Sequence, residues 1–187
     1  MFYVQASGGT FTSTGSDCGT ACKYLEAAPS DQSSGIVWAT TAAFCYNSGS
    51  TTETNSCQSN SIYSGDSTAQ AASRTAATAI GKGRANTNQI RARLTTAGGA
   101  LTSTYAAGIA YAYANDGKTD WYLPSKDELN ELFLKKDTVG GFSSGSYWSS
   151  SEYGASLAWD QEFANGNQYY PFKGNSSQVY VRSVRAF

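Results

Sequence analysis

The stretch LAWDQEF at residues 157–163, followed by NG at 165–166 and QYYPFK at 168–173, decides the fold of this chain. The two-residue period of a strand predicts that Leu157, Trp159 and Phe163 share one buried face, while Asp160 and Glu162 point to solvent. Asn-Gly between two strand-like runs is typical of a tight hairpin turn in which both residues adopt positive φ. A last alternating run, VYVRSVR at 179–185, predicts a closing strand.

Composition favours a single domain over residues 1–187 with an uncharged polar surface. The chain is 40% hydrophobic, enough to bury a core, but only 14% of its residues are charged, against about 25% in an average soluble protein. We divide it into a strand and loop region with disulfides at 1–66, a helical region at 67–136 and a β-hairpin recognition region at 137–187. The last region combines aromatic rings, amides and turn glycines, as a recognition surface does.

Histidine is absent, which removes the commonest general base and the commonest metal ligand. We therefore expect no enzyme, no cofactor and no bound metal. Asn115, Asp116 and Asp120 around Gly117 resemble a calcium loop superficially, but the bidentate glutamate of such a loop is missing, so we predict a plain turn.

The four cysteines predict two local disulfides, Cys18 with Cys22 and Cys45 with Cys57. The first pair flanks a loop of small residues, and the second brackets a polar run that cannot order itself. Reduced or redox-active thiols are the alternative, although the spacing is not that of thioredoxin-type motifs. Disulfides would place the domain in an oxidising compartment or on a particle surface.

One helix has an unambiguous start. Ser125 and Glu128 form a capping box, and Leu129, Leu132 and Phe133 follow as a buried stripe. Weaker patterns predict helices at 68–80, at 87–96 with an N-cap at residue 86, and at 103–114. Short strands are predicted at 2–4, 23–27, 36–39 and 43–46.

Several motifs carry a resemblance to a known family. They are DWYLPSKDELN at 120–130, YWSSSEY at 147–153, Ala158-Trp159, Phe163, Gly166 and VRSVR at 181–185. The chain resembles the C-terminal domain of the Legionella collagen-like (Lcl) adhesin. That family is similar to C-type-lectin-like domains of the formylglycine-generating-enzyme subtype, as in variable proteins of diversity-generating retroelements and phage receptor-binding tips.

The resemblance implies an α+β, C-type-lectin-like domain with a small twisted antiparallel sheet, flanking helices and a ligand face near the C-terminus. It also implies a homotrimer on a fibrous stalk, and we expect a leader or stalk upstream of Met1. Two departures limit the carry-over. The sugar motif of calcium-dependent lectins is missing, and the late reactive cysteines of formylglycine-generating enzymes are absent because no cysteine follows Cys57.

Rigid aromatic rings beside adaptable amides are typical of contact surfaces. Tyr169 and Tyr170 are neighbours in a strand and must face opposite ways. Trp148 and Trp159 are predicted to lie in the core. The candidate ligand-binding residues are Glu152, Tyr153, Asp160, Glu162, Asn167, Tyr169, Tyr170, Phe172 and Asn175.

A second candidate surface is electrostatic. Residues 67–115 contain five basic and no acidic side chains, so this segment carries +5 and the rest of the chain sums to −6 to give the net −1. Converging cations would attract a polyanion such as a sulfated glycan, whereas the alternative is a solvated helical face. The five residues are Arg74, Lys82, Arg84, Arg91 and Arg93. Arg182 and Arg185 are expected to pair with carboxylates instead.

These observations favour a non-enzymatic surface or virion-tip binding module that recognises a glycan or a host or partner protein. The alternative is a structural trimerisation or capping domain whose exposed rings are buried between subunits. No apolar run of about 20 residues is present for membrane insertion, and no basic-aromatic motif points to nucleic acid. We expect an extracellular, cell-surface or virion-surface location.

Overall fold

The computed structural model describes residues 1–41, 44–175 and 177–187. Nine short strands and five α-helices fall within them. The strands are β1 (Tyr3–Val4), β2 (Tyr24–Ala27), β3 (Phe44–Tyr46), β4 (Glu53–Asn55), β5 (Ser146–Glu152), β6 (Ala158–Glu162), β7 (Gln168–Tyr169), β8 (Val179–Tyr180) and β9 (Val184–Ala186). The helices are α1 (Ser67–Ala76), α2 (Gly83–Arg91), α3 (Ala106–Ala112), α4 (Lys126–Leu134) and α5 (Lys136–Val139).

The strands form three small sheets, which together with the helices make an α+β structure. The largest has the order β7-β6-β5-β8, the second β1-β2-β9, and β3 pairs with β4. The described strands pair antiparallel, as predicted, except that β8 runs parallel to β5. The second sheet joins the first residues of the chain to the last, since β2 pairs antiparallel with both β1 and β9.

The capping box at the start of α4 is confirmed, because the hydroxyl of Ser125 accepts from the amide of Glu128 and the Glu128 carboxylate accepts from the amide of Ser125. The weaker helix predictions need correction. Asn86 does not cap α2 but lies buried inside it, and its side chain donates to the carbonyl of Ala77 at 2.7 Å. A π-helical segment continues α2 over Ala92–Ala97. The third predicted helix is shorter than expected, with a 3-10 turn at Thr102–Thr104 before α3.

The early strands are partly as predicted. Residues 36–39 do not form a strand, because this stretch contributes the indole of Trp38 to the core, where Nε1 donates to the carbonyl of Ser149 at 2.8 Å. The strand predicted at 43–46 appears as β3 from Phe44, and residue 43 lies outside the described residues.

The connection between β6 and β7 is longer than the predicted two-residue turn. It spans residues 163–167, and the amide of Gly166 donates to the carbonyl of Glu162 at 2.7 Å, which makes a wider turn. Gly166 has φ 84°, whereas Asn165 does not share the positive φ that the tight turn requires. The ring of Phe133 explains the need for glycine, because a Cβ at residue 166 would lie 2.4 Å from its Cε1.

Two buried clusters form the core. One contains Trp38 and Trp148, and the other contains Tyr122, Tyr147 and Phe163. Both predicted disulfides are confirmed, Cys18 with Cys22 and Cys45 with Cys57. Closing the 12-residue loop between Cys45 and Cys57 contributes on the order of 2–4 kcal/mol by restricting the unfolded chain.

None of the described helices has the length and apolar character of a membrane span.

Candidate functional site

Strand alternation sorts the C-terminal hairpin into a charged interior and an aromatic exterior. Glu152 and Tyr153 are neighbours and face opposite sides, as do Phe172 and Lys173. Within these pairs Glu152 and Lys173 are fully buried, whereas Tyr153 and Phe172 are exposed. The sheet therefore keeps its ion pair inside and its rings outside.

The outward rings make up what we call the aromatic face: the contacting rings of Tyr153, Trp159 and Tyr170, together with the exposed ring of Phe172. Antiparallel pairing of Asp160 with Tyr169 places Trp159 and Tyr170 next to each other on the same side of the sheet. The rings of Tyr153 and Tyr170 stack with centroids 4.0 Å apart, and Trp159 meets both edge-on at 5.0 and 5.3 Å. Exposed fractions are 43% for Tyr153, 47% for Tyr170 and 45% for Phe172.

Two sequence predictions about this hairpin were wrong in the same way. Trp159 was expected in the core and is only half-buried, while Asp160 was expected in solvent and is buried. The burial of these two neighbours is the reverse of the prediction, whereas Phe163 is buried as predicted. Asp160 is buried because it lies beside the core residue Trp148, with which it pairs across β5 and β6. The prediction that Trp148 lies in the core is confirmed.

A buried ion pair underlies the aromatic face. The Nζ of Lys173 lies 2.7 Å from Oε2 of Glu152 and donates to the carbonyls of Asn60 and Ala155 at 2.9 and 2.6 Å. The other carboxylate oxygen accepts from the hydroxyl of Ser61 at 2.6 Å, and Arg74 lies 3.4 Å away. Burial lowers the pKa of Lys173, and the Glu152 carboxylate offsets part of that shift.

Glu152 was predicted as a ligand contact, and its position corrects that assignment. Both carboxylate oxygens are occupied by internal donors, and the side chain has no solvent exposure. Its negative charge is used to hold the sheet end together. The burial of Glu152 could not be predicted from the local sequence, because its neutralising cations, Lys173 and Arg74, lie 21 and 78 positions away.

The other polar candidates occupy varied positions. Asp160 is buried, and its burial raises the pKa of the carboxyl group to about 6. Glu162 is half-buried and accepts from Nδ2 of Asn165 at 2.7 Å. Asn167 is exposed, and its Nδ2 donates to the hydroxyl of Tyr169 at 3.1 Å. Asn175 is half-buried and accepts from the amide of Ser177 at 3.0 Å.

Tyr169 faces away from Tyr170, as predicted, yet both side chains are exposed because β7 is a two-residue edge strand. Tyr169 has 48% exposure and shares its side of the sheet with Asp160. It therefore lies outside the aromatic face, and the structure separates it from Tyr153 and Tyr170.

A cleft lies beside the aromatic face, and we call it the α1 cleft. Its volume is about 470 Å³. Tyr153 and Trp159 line it from the sheet, with Glu152 beneath them. Helix α1 and the residues after it supply the opposite side through Ala71, Arg74, Thr75 and Thr78.

Sequence reasoning missed most of the α1 cleft. The signal was present, because residues 71, 74, 75 and 78 have the i, i+3, i+4, i+7 spacing of one helix face. That face was overlooked because it is small and polar, without the large apolar residues that mark a packed stripe. Lys126 was also missed, and its Nζ lies 4.6 Å from the centroid of the Trp159 ring.

The predicted basic patch does not assemble as a common surface. Arg74 pairs with Glu152 and Arg93 pairs with Glu53. Arg84 is buried, where it donates to the carbonyls of Gly15 and Trp121 at 3.1 and 2.7 Å. Arg91 lies over the ring of Tyr111, with its Cζ 3.4 Å from the centroid.

Lys82 alone among the five basic residues is exposed. The charge segregation seen in the sequence is therefore largely compensated in the fold by distant acids and by backbone carbonyls. The pairing predicted for the C-terminal arginines is confirmed: Arg182 lies 2.7 Å from Asp31, and Arg185 lies 2.7 Å from Asp120.

Residues 115–118 form the turn predicted in place of a calcium loop. The amide of Asn115 donates to the carbonyl of Lys118 and the reverse bond is also made, with positive φ at Asp116 and Gly117. Asp120 is turned away to pair with Arg185. Within the part of the chain that the structure describes, no group of three His, Cys, Asp or Glu side chains is arranged to hold a metal ion.

Comparison with known proteins places the chain in a family. No curated protein matches it. The model of the Lcl C-terminal domain matches residues 28–185, which include both sides of the α1 cleft and the whole aromatic face. The match associates the chain with adhesins and suggests a surface location, with which its two disulfides are compatible. With this match over most of its length, the chain belongs to the Lcl C-terminal domain family.

Proposed function

We propose that this domain is a non-enzymatic adhesin module of a cell or virion surface that captures an extracellular glycan or protein on its aromatic face. The observation that carries the proposal is the stack of Tyr153 and Tyr170, which stays nearly half exposed although its rings are packed edge-on against Trp159. Soluble domains rarely leave connected aromatic groups open to water without a binding role.

The mechanism is preorganised contact. Tyr153 follows Glu152 directly and Phe172 precedes Lys173 directly, so the buried ion pair fixes the backbone from which both rings project. Rings that are already held in place lose little conformational freedom on binding, and more of the contact energy then appears as affinity. Tyrosine and tryptophan also combine a broad apolar face with a polar group, which suits mixed ligands.

Family membership supports two finer parts of the proposal. The Lcl family provides the link to adhesins, and the small sheets with flanking helices are compatible with a C-type-lectin-like subtype. We also propose a homotrimer, as expected for a domain carried on a fibrous stalk. In the competing function, trimerisation itself would bury the aromatic face. The exposure of Phe172 within that face is equally compatible with this alternative.

The test is alanine substitution of Tyr170, followed by binding to immobilised glycans and to extracellular matrix proteins. We expect capture to fall at least about tenfold, which corresponds to ~1.4 kcal/mol. Leu101→Ala is the matched control, because Leu101 is exposed and lies outside the aromatic face and the α1 cleft. Unchanged capture by Tyr170→Ala would contradict the proposal, and a shift to monomers would favour the trimerisation function.

A further inference from the structure

We infer that the α1 cleft is a sugar subsite that takes the terminal pyranose ring of a glycan, stacked against Tyr153 and Trp159. This inference rests on the proposed function and narrows its ligand from glycan or protein to a saccharide. It also gives helix α1 a role in ligand binding, because no residue of the aromatic face lies on that helix.

The two sides of the cleft differ in chemistry. Tyr153 and Trp159 present rings from the sheet, whereas Thr75 and Thr78 present hydroxyl groups from α1 and the residues after it. A pyranose has the same asymmetry, with C–H groups on its ring faces and hydroxyl groups around its edge. An apolar peptide side chain would offer the threonine oxygens no donor, and a purely polar ligand would not use the rings.

The hydroxyl groups of the helix side are oriented by the helix itself. Oγ1 of Thr75 donates to the carbonyl of Ala71 at 3.0 Å, and Oγ1 of Thr78 donates to the carbonyl of Thr75 at 3.1 Å. Each hydroxyl proton is therefore engaged, and each oxygen keeps lone pairs that accept from a ligand. Sugar hydroxyl groups supply the donors that this arrangement requires.

The base of the cleft offers donors instead of acceptors. Both oxygens of Glu152 are occupied by Ser61, the amide of Ile62, Lys173 and Arg74. Arg74 lines the cleft with a partly exposed side chain, and a guanidinium group carries five N–H donors in total. A ligand oxygen can therefore accept from Arg74 while its hydroxyl groups donate to the two threonines.

The dimensions agree with this occupant. A volume of about 470 Å³ lies within the ordinary range of small-molecule sites, roughly 300–1,000 Å³. It accommodates one or two sugar rings and not a folded protein element. The remainder of the glycan would extend over Tyr170 on the aromatic face, since Tyr170 stacks directly on Tyr153.

The experiment blocks the cleft from the helix side and leaves the aromatic face intact. Ala71→Trp places a large ring at an exposed α1 position that lines the cleft, and Ala72→Trp places the same ring at the next exposed position, which does not line it. We expect Ala71→Trp to weaken binding of the oligomer to an array of neutral and acidic glycans at least about tenfold. Ala72→Trp should bind within about twofold of the wild type.

A second readout uses tryptophan fluorescence. Of the four tryptophans, Trp38, Trp121 and Trp148 are buried, so iodide quenching reports mainly on Trp159. A panel of free hexoses, hexosamines and uronic acids should include sugars that protect Trp159 from quenching in the wild type and not in Ala71→Trp.

The possible outcomes separate the two proposals. If Ala71→Trp binds the array as the wild type does, or if no glycan or sugar of the panels binds, the cleft inference fails. Capture of a matrix protein that Tyr170→Ala abolishes and Ala71→Trp preserves would overturn the sugar subsite while leaving the adhesin function in place. Capture unaffected by either variant would overturn both.

Discussion

The basic segment of the helical region and the aromatic segment of the C-terminal hairpin both look like surfaces in the sequence, but they use their side chains in opposite ways. Arg74, Arg84 and Arg93 direct their charges to a buried glutamate, to backbone carbonyls and to Glu53. Tyr153 and Tyr170 leave nearly half of their surface open. These three arginines stabilise the structure, whereas the two tyrosine rings stay open to solvent.

Lys173→Met gives the largest effect expected from this comparison. It removes the main neutralising cation from the buried Glu152 carboxylate, so the free energy of unfolding should fall by about 3–5 kcal/mol. Denaturant titration measures the change. The double variant Glu152→Leu with Lys173→Met should recover much of the loss, because replacing both partners of a buried pair leaves no isolated charge. A cost below about 1 kcal/mol for Lys173→Met would show that the pair does not hold this region.

Arg84→Ala sharpens the comparison within the basic segment. Its guanidinium donates to the carbonyls of Gly15 and Trp121, which would lose their charged donor in a buried setting. We expect a loss of about 2–4 kcal/mol in unfolding free energy. The matched control is Lys82→Ala, two positions away and exposed, which should change stability by less than about 0.5 kcal/mol. Equal losses of stability in the two variants would contradict the conclusion that Arg84 is buried and Lys82 is exposed.

The buried Glu128 carboxyl group should make the free energy of unfolding depend on pH. Burial raises the pKa of this carboxyl group to about 7 from a usual 4.5, against the stabilising amides of Ser125 and Gly81. Between these values the folded state binds the proton more tightly than the unfolded state. The stabilising contribution of Glu128 is therefore complete below pH 4.5 and is lost as the pH rises through 7.

The measurement compares wild type with Glu128→Gln by denaturation across this range. The wild type should lose up to ~3 kcal/mol relative to the variant between pH 4.5 and 7, at ~1.4 kcal/mol per pKa unit. Asp160, whose pKa burial raises to about 6, gives a slope of the same sign that both proteins share. Parallel pH profiles of the two proteins would contradict the burial of a titrating Glu128.

Tyr170→Ala gives the smallest expected change in stability. The ring is half exposed, and its stacking on Tyr153 is worth about 0.5–1.5 kcal/mol. Thermal and denaturant unfolding should therefore remain close to the wild type. A loss as large as that of Lys173→Met would show that the ring belongs to the core and not to a free surface.

Local patterns in the sequence predicted the features that depend on near neighbours. The capping box at Ser125 and the turn at residues 115–118 follow from residues a few positions apart, and the two disulfides join cysteines 4 and 12 positions apart. The alternation of the hairpin was also local, so the separation of Tyr169 from Tyr170 was predictable. Which face lies inward was not, because it depends on pairings that span most of the chain.

The burial of Glu152 and Asp160 illustrates that limit. A carboxylate in a strand is usually solvated, and only a distant cation or a packed neighbour changes this. Arg74 reaches Glu152 across 78 residues, and Trp148 on β5 fixes the core side beside Asp160. The α1 cleft has the same origin, since it forms only where helix α1 and the β5–β6 end of the sheet come together.

The most direct test of the central claim is the double variant Tyr153→Ala with Tyr170→Ala, measured side by side for ligand capture, unfolding and oligomer size. The account predicts that capture of array glycans and matrix proteins is lost, while the size of the protein in solution stays that of the wild type and the free energy of unfolding falls by no more than about 2 kcal/mol. Capture equal to the wild type, or a dissociated or unfolded protein, would contradict it.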